Sequence, residues 1–314
     1  MIDKNLLLIT HIADEDGITP VILAKQVYKK VTPILVNPGE VDKVYLENYD
    51  KYDEIHITDV NITKDLAKKI NEDEQLKEKT KIFDHHQSAL ELNKYEFIEV
   101  IVETKERKES ATSIYYEYLK TISENELLHK ASTKGLVEQV RIVDTYDFKK
   151  EEDKEALNLD YLFSILGRDN YITYFEKYIK DNEIFQYSPK EKFLIKIQKD
   201  KVDNYIKQKI KEMFLVKIDN YKVGLVYAER FRSQLGNYII ENKDVDFSII
   251  INISSSISYR GKDKVDLSIF SSKYNGGGHK NAAGSPLPKD LLKNITKQIF
   301  KKVEFIEEES EKNE

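Results

Sequence analysis

The sequence predicts an α/β chain: an N-terminal parallel-sheet domain joined by a long helix to a smaller α+β C-terminal domain. Three observations carry this expectation. At 314 residues the chain is long for one core, since domains average about 150 residues. Its first hundred residues alternate short apolar runs with longer amphipathic stretches. Its charge changes sign near residue 213. The expected boundaries are 1–187 for the first domain, 188–213 for the linker helix, 214–303 for the second domain and 304–314 for an acidic tail.

The elements follow in order. Leu6–Thr10, Ile34–Val36, Glu54–Thr58 and Lys81–Phe83 read as short buried strands. Between the first two, Ile18, Val21, Ile22, Ala24, Val27 and Tyr28 recur at helical spacing, the βαβ signature of a parallel sheet. Residues 110–122 and 131–143 read as helices, the first opening at Ser110 or Thr112 as N-cap. The pattern from Ser188 through Ile210 runs past twenty residues, a helix of linker length. Beyond it, Leu215–Ile218, Lys222–Tyr227, Asp246–Ile253, Ser256–Tyr259 and Val265–Ile269 read as strands. Helices are expected at Ser233–Glu241 and Lys289–Val303.

Composition removes whole classes of function. Hydrophobic residues make up 40% and charged residues 34%, and mean hydropathy is -0.56, which fits a globular chain without membrane partners. Nothing at the N-terminus reads as a secretory signal, so the expected compartment is the cytoplasm. There is no cysteine, which excludes disulfides, thiolate zinc sites, iron–sulfur clusters and cysteine nucleophiles. The net charge of -6 argues against duplex-DNA binding. That charge divides as -8 over residues 1–213, +7 over 214–303 and -5 over 304–314. An acidic domain followed by a basic one suits a small anionic ligand.

The ionisable residues concentrate after the expected strands. His11, Asp14, Glu15 and Asp16 follow the first; Asp59 follows Glu54–Thr58; Asp84-His85-His86 follows Lys81–Phe83. Open parallel sheets bind ligands beyond the carboxyl ends of their strands. Singly, each has an ordinary reading: Asp14 or Asp16 as a helix cap, Asp59 as a cap for the next helix, His11 as a satisfied histidine. Together with Asp144, four carboxylates and at least two imidazoles at one edge would repel unless cations neutralised them. Oxygen and imidazole ligands suit Mn²⁺, with Mg²⁺, Co²⁺ or Fe²⁺ also compatible. Two such ions sharing a carboxylate are a common arrangement for phosphate-ester hydrolysis.

A second signal is Asn275-Gly276-Gly277-Gly278-His279-Lys280 followed by Asn281-Ala282-Ala283-Gly284. Consecutive glycines let backbone amides approach an anion, with His279 and Lys280 as further donors. Arg260, ending the expected strand Ser256–Tyr259, could fork onto a phosphate.

These motifs resemble the DHH superfamily of phosphoesterases. Asp84-His85-His86 matches the motif that gives the family its name, and Gly276–His279 matches the hallmark of its DHH-associated C-terminal domain. The likeness runs from Leu6 to about Val303 and is nearest to small bacterial nanoRNases (oligoribonucleases) and related cyclic-nucleotide phosphodiesterases. Ser110–Leu119, Val143–Phe148 and Arg232–Asn237 support it. The resemblance implies that His11, Asp14 and Asp59 hold one metal, and that Asp16, Asp59, His85 and Asp144 hold the other. His86 would contact the scissile phosphate, and Arg260, Gly276, Gly277, Gly278 and His279 the rest of the substrate. His11 lies three residues before Asp14, where the family shows two or four. Glu15 is expected in solvent, His56 in a structural role, and His129 in none.

The expected function is therefore a Mn²⁺-dependent phosphodiesterase cleaving short RNA oligonucleotides from one end to mononucleotides. Cyclic dinucleotides, their linear products, 3′-phosphoadenosine 5′-phosphate and pyrophosphate remain open as substrates. So do a RecJ-like single-strand exonuclease, a nucleotide sensor without catalysis, and a homodimeric state.

Overall fold

The computed structural model describes residues 1–148, 151–300, 302, 303 and 305. Its contacts divide into two compact units, Met1–Lys201 and Val202–Glu314. The expected tail, 304–314, lies outside the described residues apart from Phe305.

The first unit opens β1 (Ile2–His11), α1 (Glu15–Val27), β2 (Tyr28–Val36), α2 (Val41–Asn48) and β3 (Glu54–Thr58). It continues with α3 (Lys64–Glu72), α4 (Glu74–Lys79), β4 (Thr80–Asp84), a 3₁₀ stretch at Gln87–Lys94, and β5 (Ile98–Val100). Then come α5 (Ala111–Ile122), α6 (Glu126–His129), α7 (Ala131–Thr145), α8 (Leu157–Leu166) and α9 (Arg168–Asp181). The helix α10 (Pro189–Lys211) follows, and the boundary between the units falls within it.

The five strands form a parallel sheet in the order β2-β1-β3-β4-β5. Strand side chains alternate between faces, and β1 uses both. Leu6 and Leu8 enter one core with Val21, Phe83 and Tyr115, while Leu7 and Ile9 enter another with Ile55, Ile57 and Ile82. A sheet covered on both faces reads as a continuous apolar run, which is why LLLIT resembles a strand without alternation. The chain leaves β1 toward β2 on one side and returns to β3 on the other. Between β1 and β3 the strand order therefore reverses, and ligand sites of open sheets form at such a crevice. Pro33 lies within the edge strand β2 and removes a donor that another strand could pair with.

In α1 every residue except Lys25 is buried, so the helix carries no solvent stripe. Its N-cap is Asp14, which accepts from Gly17 N at 3.1 Å. α5 starts at a capping box, with Ser110 and Ser113 bonding each other's backbone amides.

The second unit contains β6 (Phe214–Ile218), β7 (Tyr221–Tyr227), α11 (Arg232–Asn242), β8 (Phe247–Asn252) and β9 (Ser256–Gly261). It ends with α12 (Leu267–Ser272), β10 (Gly277–Gly278), β11 (Ala282–Pro286) and α13 (Leu291–Ile299). The sheet order is β10-β11-β9-β8-β7-β6, with β7 and β8 parallel and the other pairs antiparallel. Val223, Phe247, Tyr259, Leu267 and Phe270 fill its core.

Two expectations are corrected here. Val265–Ile269 is not a strand: α12 begins at Leu267, because Asp266 caps it by accepting from Ser268 N at 3.0 Å and Ile269 N at 3.2 Å. The last helix stops at Ile299 rather than reaching Val303. No helix among the described residues is long and apolar enough to cross a membrane.

Candidate metal centre

The carboxyl ends of β1, β3 and β4 carry the polar residues singled out in the sequence. His11 is the last residue of β1, Asp59 follows β3, and Asp84 ends β4 with His85 and His86 directly after it. The ligand atoms at this edge fall into overlapping groups, each with members within 4.8 Å of one another: His11, Asp14 and Asp59; Asp16, His85 and Asp144; and Asp59, Asp84, His85 and His86. Asp59 reaches the first two. Its Oδ2 lies 3.2 Å from His11 Nδ1 and its Oδ1 lies 3.4 Å from His85 Nε2. His11 Nδ1 is also 3.5 Å from Asp14 Oδ2, so its three-residue spacing does not keep it from the group. Asp144, in the last turn of α7, lies 3.3 Å from His85 Nε2.

Local structure fixes these positions. Asp59 has φ 58°, in the left-handed region that Asp tolerates better than most residues, and its amide donates to Phe83 O at 3.1 Å. Asp16 is 1% exposed and accepts Ala111 N at 2.8 Å and Thr112 N at 2.9 Å. These are the first amides of α5, where a helix favours negative charge. Gly17 completes the turn. A Cβ there would come within 2.1 Å of His11 O, so glycine alone lets α1 press against the end of β1.

The electrostatics show a deficit of positive charge. Burial works against charge on His11, yet Asp14 and Asp59 hold its imidazole up at about 10. Burial likewise opposes ionisation of Asp59, but His11 and His85 hold it well below the usual carboxylate range. Burial and the charge of Asp59 push Asp16 up to about 6. Burial also pushes Asp144 up, against the pull of His85. Asp144 Oδ2 is buried and has no hydrogen-bond donor among the described residues. Four carboxylates thus face two imidazoles, and divalent cations would supply the missing charge. An oxygen and imidazole donor set of this kind fits such ions, and the cluster is a candidate metal-binding site.

His86 borders the first two groups, with Nδ1 3.9 Å from Asp59 Oδ1 and its ring 4.7 Å from that of His85, but its short contact is to Asp84. Its Nδ1 is 2.6 Å from Asp84 Oδ1. Burial opposes its charge, but Asp84 raises it to about 9.

In the second unit Arg260 lies in β9, donating to Ser233 Oγ at 2.6 Å and Tyr259 O at 2.9 Å. Its stem crosses Gly236, where a Cβ would meet Arg260 Cγ at 2.7 Å. This explains Ser233 and Gly236 in the segment Arg232–Asn237. The three glycines are not a loop: Gly277 and Gly278 form β10 against Gly284 and Ala283. Gly276 donates its amide to Ser271 O at 2.9 Å, so that amide is not presented to an anion. Cβ atoms at Gly276 and Gly278 would strike Gly284 O and Ala282 O, whereas Gly277 is open and exposed. The small residues Ala282-Ala283-Gly284 thus serve a tight hairpin.

No protein-family model matches the sequence. Over 299 residues the chain is 28% identical to oligoribonuclease NrnB of Bacillus subtilis, covering 92% of this chain and 74% of that protein. Its fold is similar to a pGpG-specific phosphodiesterase, PggH, from Vibrio cholerae, with TM-score 0.51, 15% identity and coverage of 94% and 97% of the two chains. It is also similar to the DHH domain of a member of the s1p family of ribosomal proteins, with TM-score 0.53, 15% identity and coverage of 94% and 86%. The chain shares the fold of this DHH domain.

Within this DHH fold one expectation fails and two partners come to light. Glu15 is not in solvent but 4% exposed, because α1 is enclosed on all sides; burial, with Asp160, pushes its carboxyl up. Asn61 donates to Asp84 Oδ2, and the first amides of α5 hold Asp16. The sequence marked Ser110 and Thr112 as caps, but nothing in it tied them to Asp16, 96 residues away at Thr112. His56 is buried among Tyr28, Phe83, Tyr115 and Tyr118, with Nδ1 2.7 Å from Tyr115 Oη. His129 ends α6, half-exposed.

Proposed function

We propose that the chain is a metal-dependent phosphodiesterase that hydrolyses short RNA oligonucleotides to mononucleotides. One observation carries this reading: Asp59 directs one oxygen to each of two histidine–carboxylate groups at the point where the sheet order reverses. Its similarity to an oligoribonuclease over 92% of its length supports the substrate class.

His11, Asp14 and Asp59 would hold one Mn²⁺, and Asp16, Asp59, His85 and Asp144 a second, with Mg²⁺ or Co²⁺ as substitutes. Bound cations of this kind neutralise phosphate oxygens and lower the pKa of water. The residues of the chain set the geometry. The α5 amides orient Asp16, and the left-handed turn at Asp59 aims its two oxygens apart. His86 keeps a proton on Nδ1 toward Asp84 and meets the scissile phosphate. In the second unit, Arg260, the open Gly277, Gly278 and His279 bind anionic groups of the substrate. No side chain acts as nucleophile.

The test is a turnover panel with Mn²⁺ over two- to ten-residue RNA, DNA, cyclic dinucleotides, pGpG, 3′-phosphoadenosine 5′-phosphate and pyrophosphate. The expected result is fastest hydrolysis of RNA dimers to pentamers and complete loss of activity with chelator. Full activity after exhaustive chelation overturns the metal reading. Preference for long single strands points to a RecJ-like exonuclease. Nucleotide binding without turnover makes the protein a sensor.

A further inference from the structure

Asn61 has no part in any ligand group, yet it touches the residue that holds His86. It lies two positions after Asp59, in the connection between β3 and α3, where the left-handed turn brings the chain beside the end of β4. Its Nδ2 donates to Asp84 Oδ2. The opposite assignment would set an amide oxygen against a carboxylate. Asp84 is 1% exposed, and its other oxygen takes His85 N at 2.8 Å, His86 N at 3.3 Å and His86 Nδ1 at 2.6 Å. Asn61 thus holds the oxygen that these backbone and ring donors leave to it. Without it, the carboxylate could rotate about its terminal torsion, which is broad for Asp, and carry the His86 ring with it.

We propose that Asn61 is a positioning residue which, through Asp84, sets the orientation of the His86 imidazole. The role belongs to the phosphodiesterase reading above, in which His86 meets the scissile phosphate. Asn61 is then to His86 what an outer partner is to a metal-bound histidine: a group that never meets substrate but fixes the ring that does. The turn at Asp59 would serve both assemblies, aiming its own carboxylate at the ligand groups and Asn61 at Asp84.

The full-length protein, loaded with Mg²⁺ to stay diamagnetic, gives two independent readouts. One is the imidazole N–H proton resonance of His86, identified by its loss in His86→Ala. The other is the separation of kcat from KM on an RNA trimer. Asn61→Ala is expected to shift or abolish the resonance and to lower kcat about 10–100-fold, the range for partners of this kind. KM and metal content should stay within about twofold. Asn61→Asp is isosteric but sets a second carboxylate against Asp84, so it should do at least as much damage. If packing alone mattered, Asn61→Asp would be the milder change, and that order overturns the proposal. An unchanged resonance in both variants also overturns it. Should Asn61→Ala fail to fold, the resonance of Asn61→Asp decides by itself. If the wild type hydrolyses no phosphodiester, the functional reading fails, while the resonance still tests Asn61.

Discussion

Thr112 donates its hydroxyl to the backbone carbonyl of Asp16 at 2.9 Å, and the reason is Pro20. In an uninterrupted helix the amide of residue 20 would bond that carbonyl. Proline has no amide hydrogen, so the acceptor is left over inside α1. A threonine from α5 takes it up while the amides of the same turn hold the Asp16 carboxylate.

Thr112→Val removes that donor and leaves a buried carbonyl unsatisfied. The expected loss is about 1–3 kcal/mol of unfolding free energy, read from urea titrations with an unchanged m-value. Thr112→Ser keeps the hydroxyl and should lose less. Equal stability of Thr112→Val and wild type would show that the bond contributes nothing.

Gly17→Ala sets helix propensity against packing. Alanine is favoured in a helix by about 1 kcal/mol, but its Cβ would lie 2.1 Å from His11 O and 2.8 Å from His11 Cβ. Backbone at that distance must move, and moving it withdraws His11 from Asp59. We expect lower thermal stability and weaker Mn²⁺ binding by calorimetry. A stabilised variant with native metal affinity contradicts this account.

His85 and His86 adjoin in sequence, and the proposed mechanism gives them different roles. His85→Ala should lower metal content, because its ring faces Asp16, Asp59 and Asp144. His86→Ala should retain metal and lose roughly 10²–10⁴-fold in kcat, the weight of one positioned catalytic group. Elemental analysis of both variants separates the roles, and equal metal loss would show that the division is wrong.

His56 gives the fold a pH dependence of known sign. Burial lowers its pKa from 6.5 to about 3, so the folded protein keeps it neutral. Between those values the unfolded chain binds the extra proton. The stability from this group is full above about 6.5 and is lost as pH falls toward 3, at up to about 1.4 kcal/mol per unit. His56→Phe should be less stable at pH 7, having lost the bond to Tyr115, but should show a shallower slope between pH 4 and 6.5. Parallel slopes would remove His56 from the acid sensitivity.

Most of the candidate site was legible because its residues end buried strands, where side chains without an apolar reason stand out. His11 and Asp84 are the last residues of such strands, and Asp59 comes directly after one. What the sequence hid depends on distant segments meeting. Glu15 sits among charged neighbours and looks solvated until α1 proves enclosed. Asp266 was the overlooked signal in the second unit: a strand-like apolar run follows it, but its side chain takes two amides and starts a helix. The glycines at 276–278 suggested an anion cradle, whereas two of them are needed because another strand passes too close for a Cβ.

β1 has a hidden difficulty, since it is apolar on both faces. Slipping it by one residue would exchange Leu6 and Leu8 for Leu7 and Ile9 between the cores at little cost in burial, so oiliness cannot set its register. Polar pins at its ends must do so. Asp53 Oδ2 takes the amide of Asn5 at 2.8 Å; Thr58 donates to Thr10 at 2.7 Å, and Thr10 to Gly17 O at 2.5 Å. These few bonds act as a detent. A slip of one residue would pull His11 back by about 3.3 Å and turn it to the opposite face, so two small hydroxyls decide whether the histidine meets Asp59 at all.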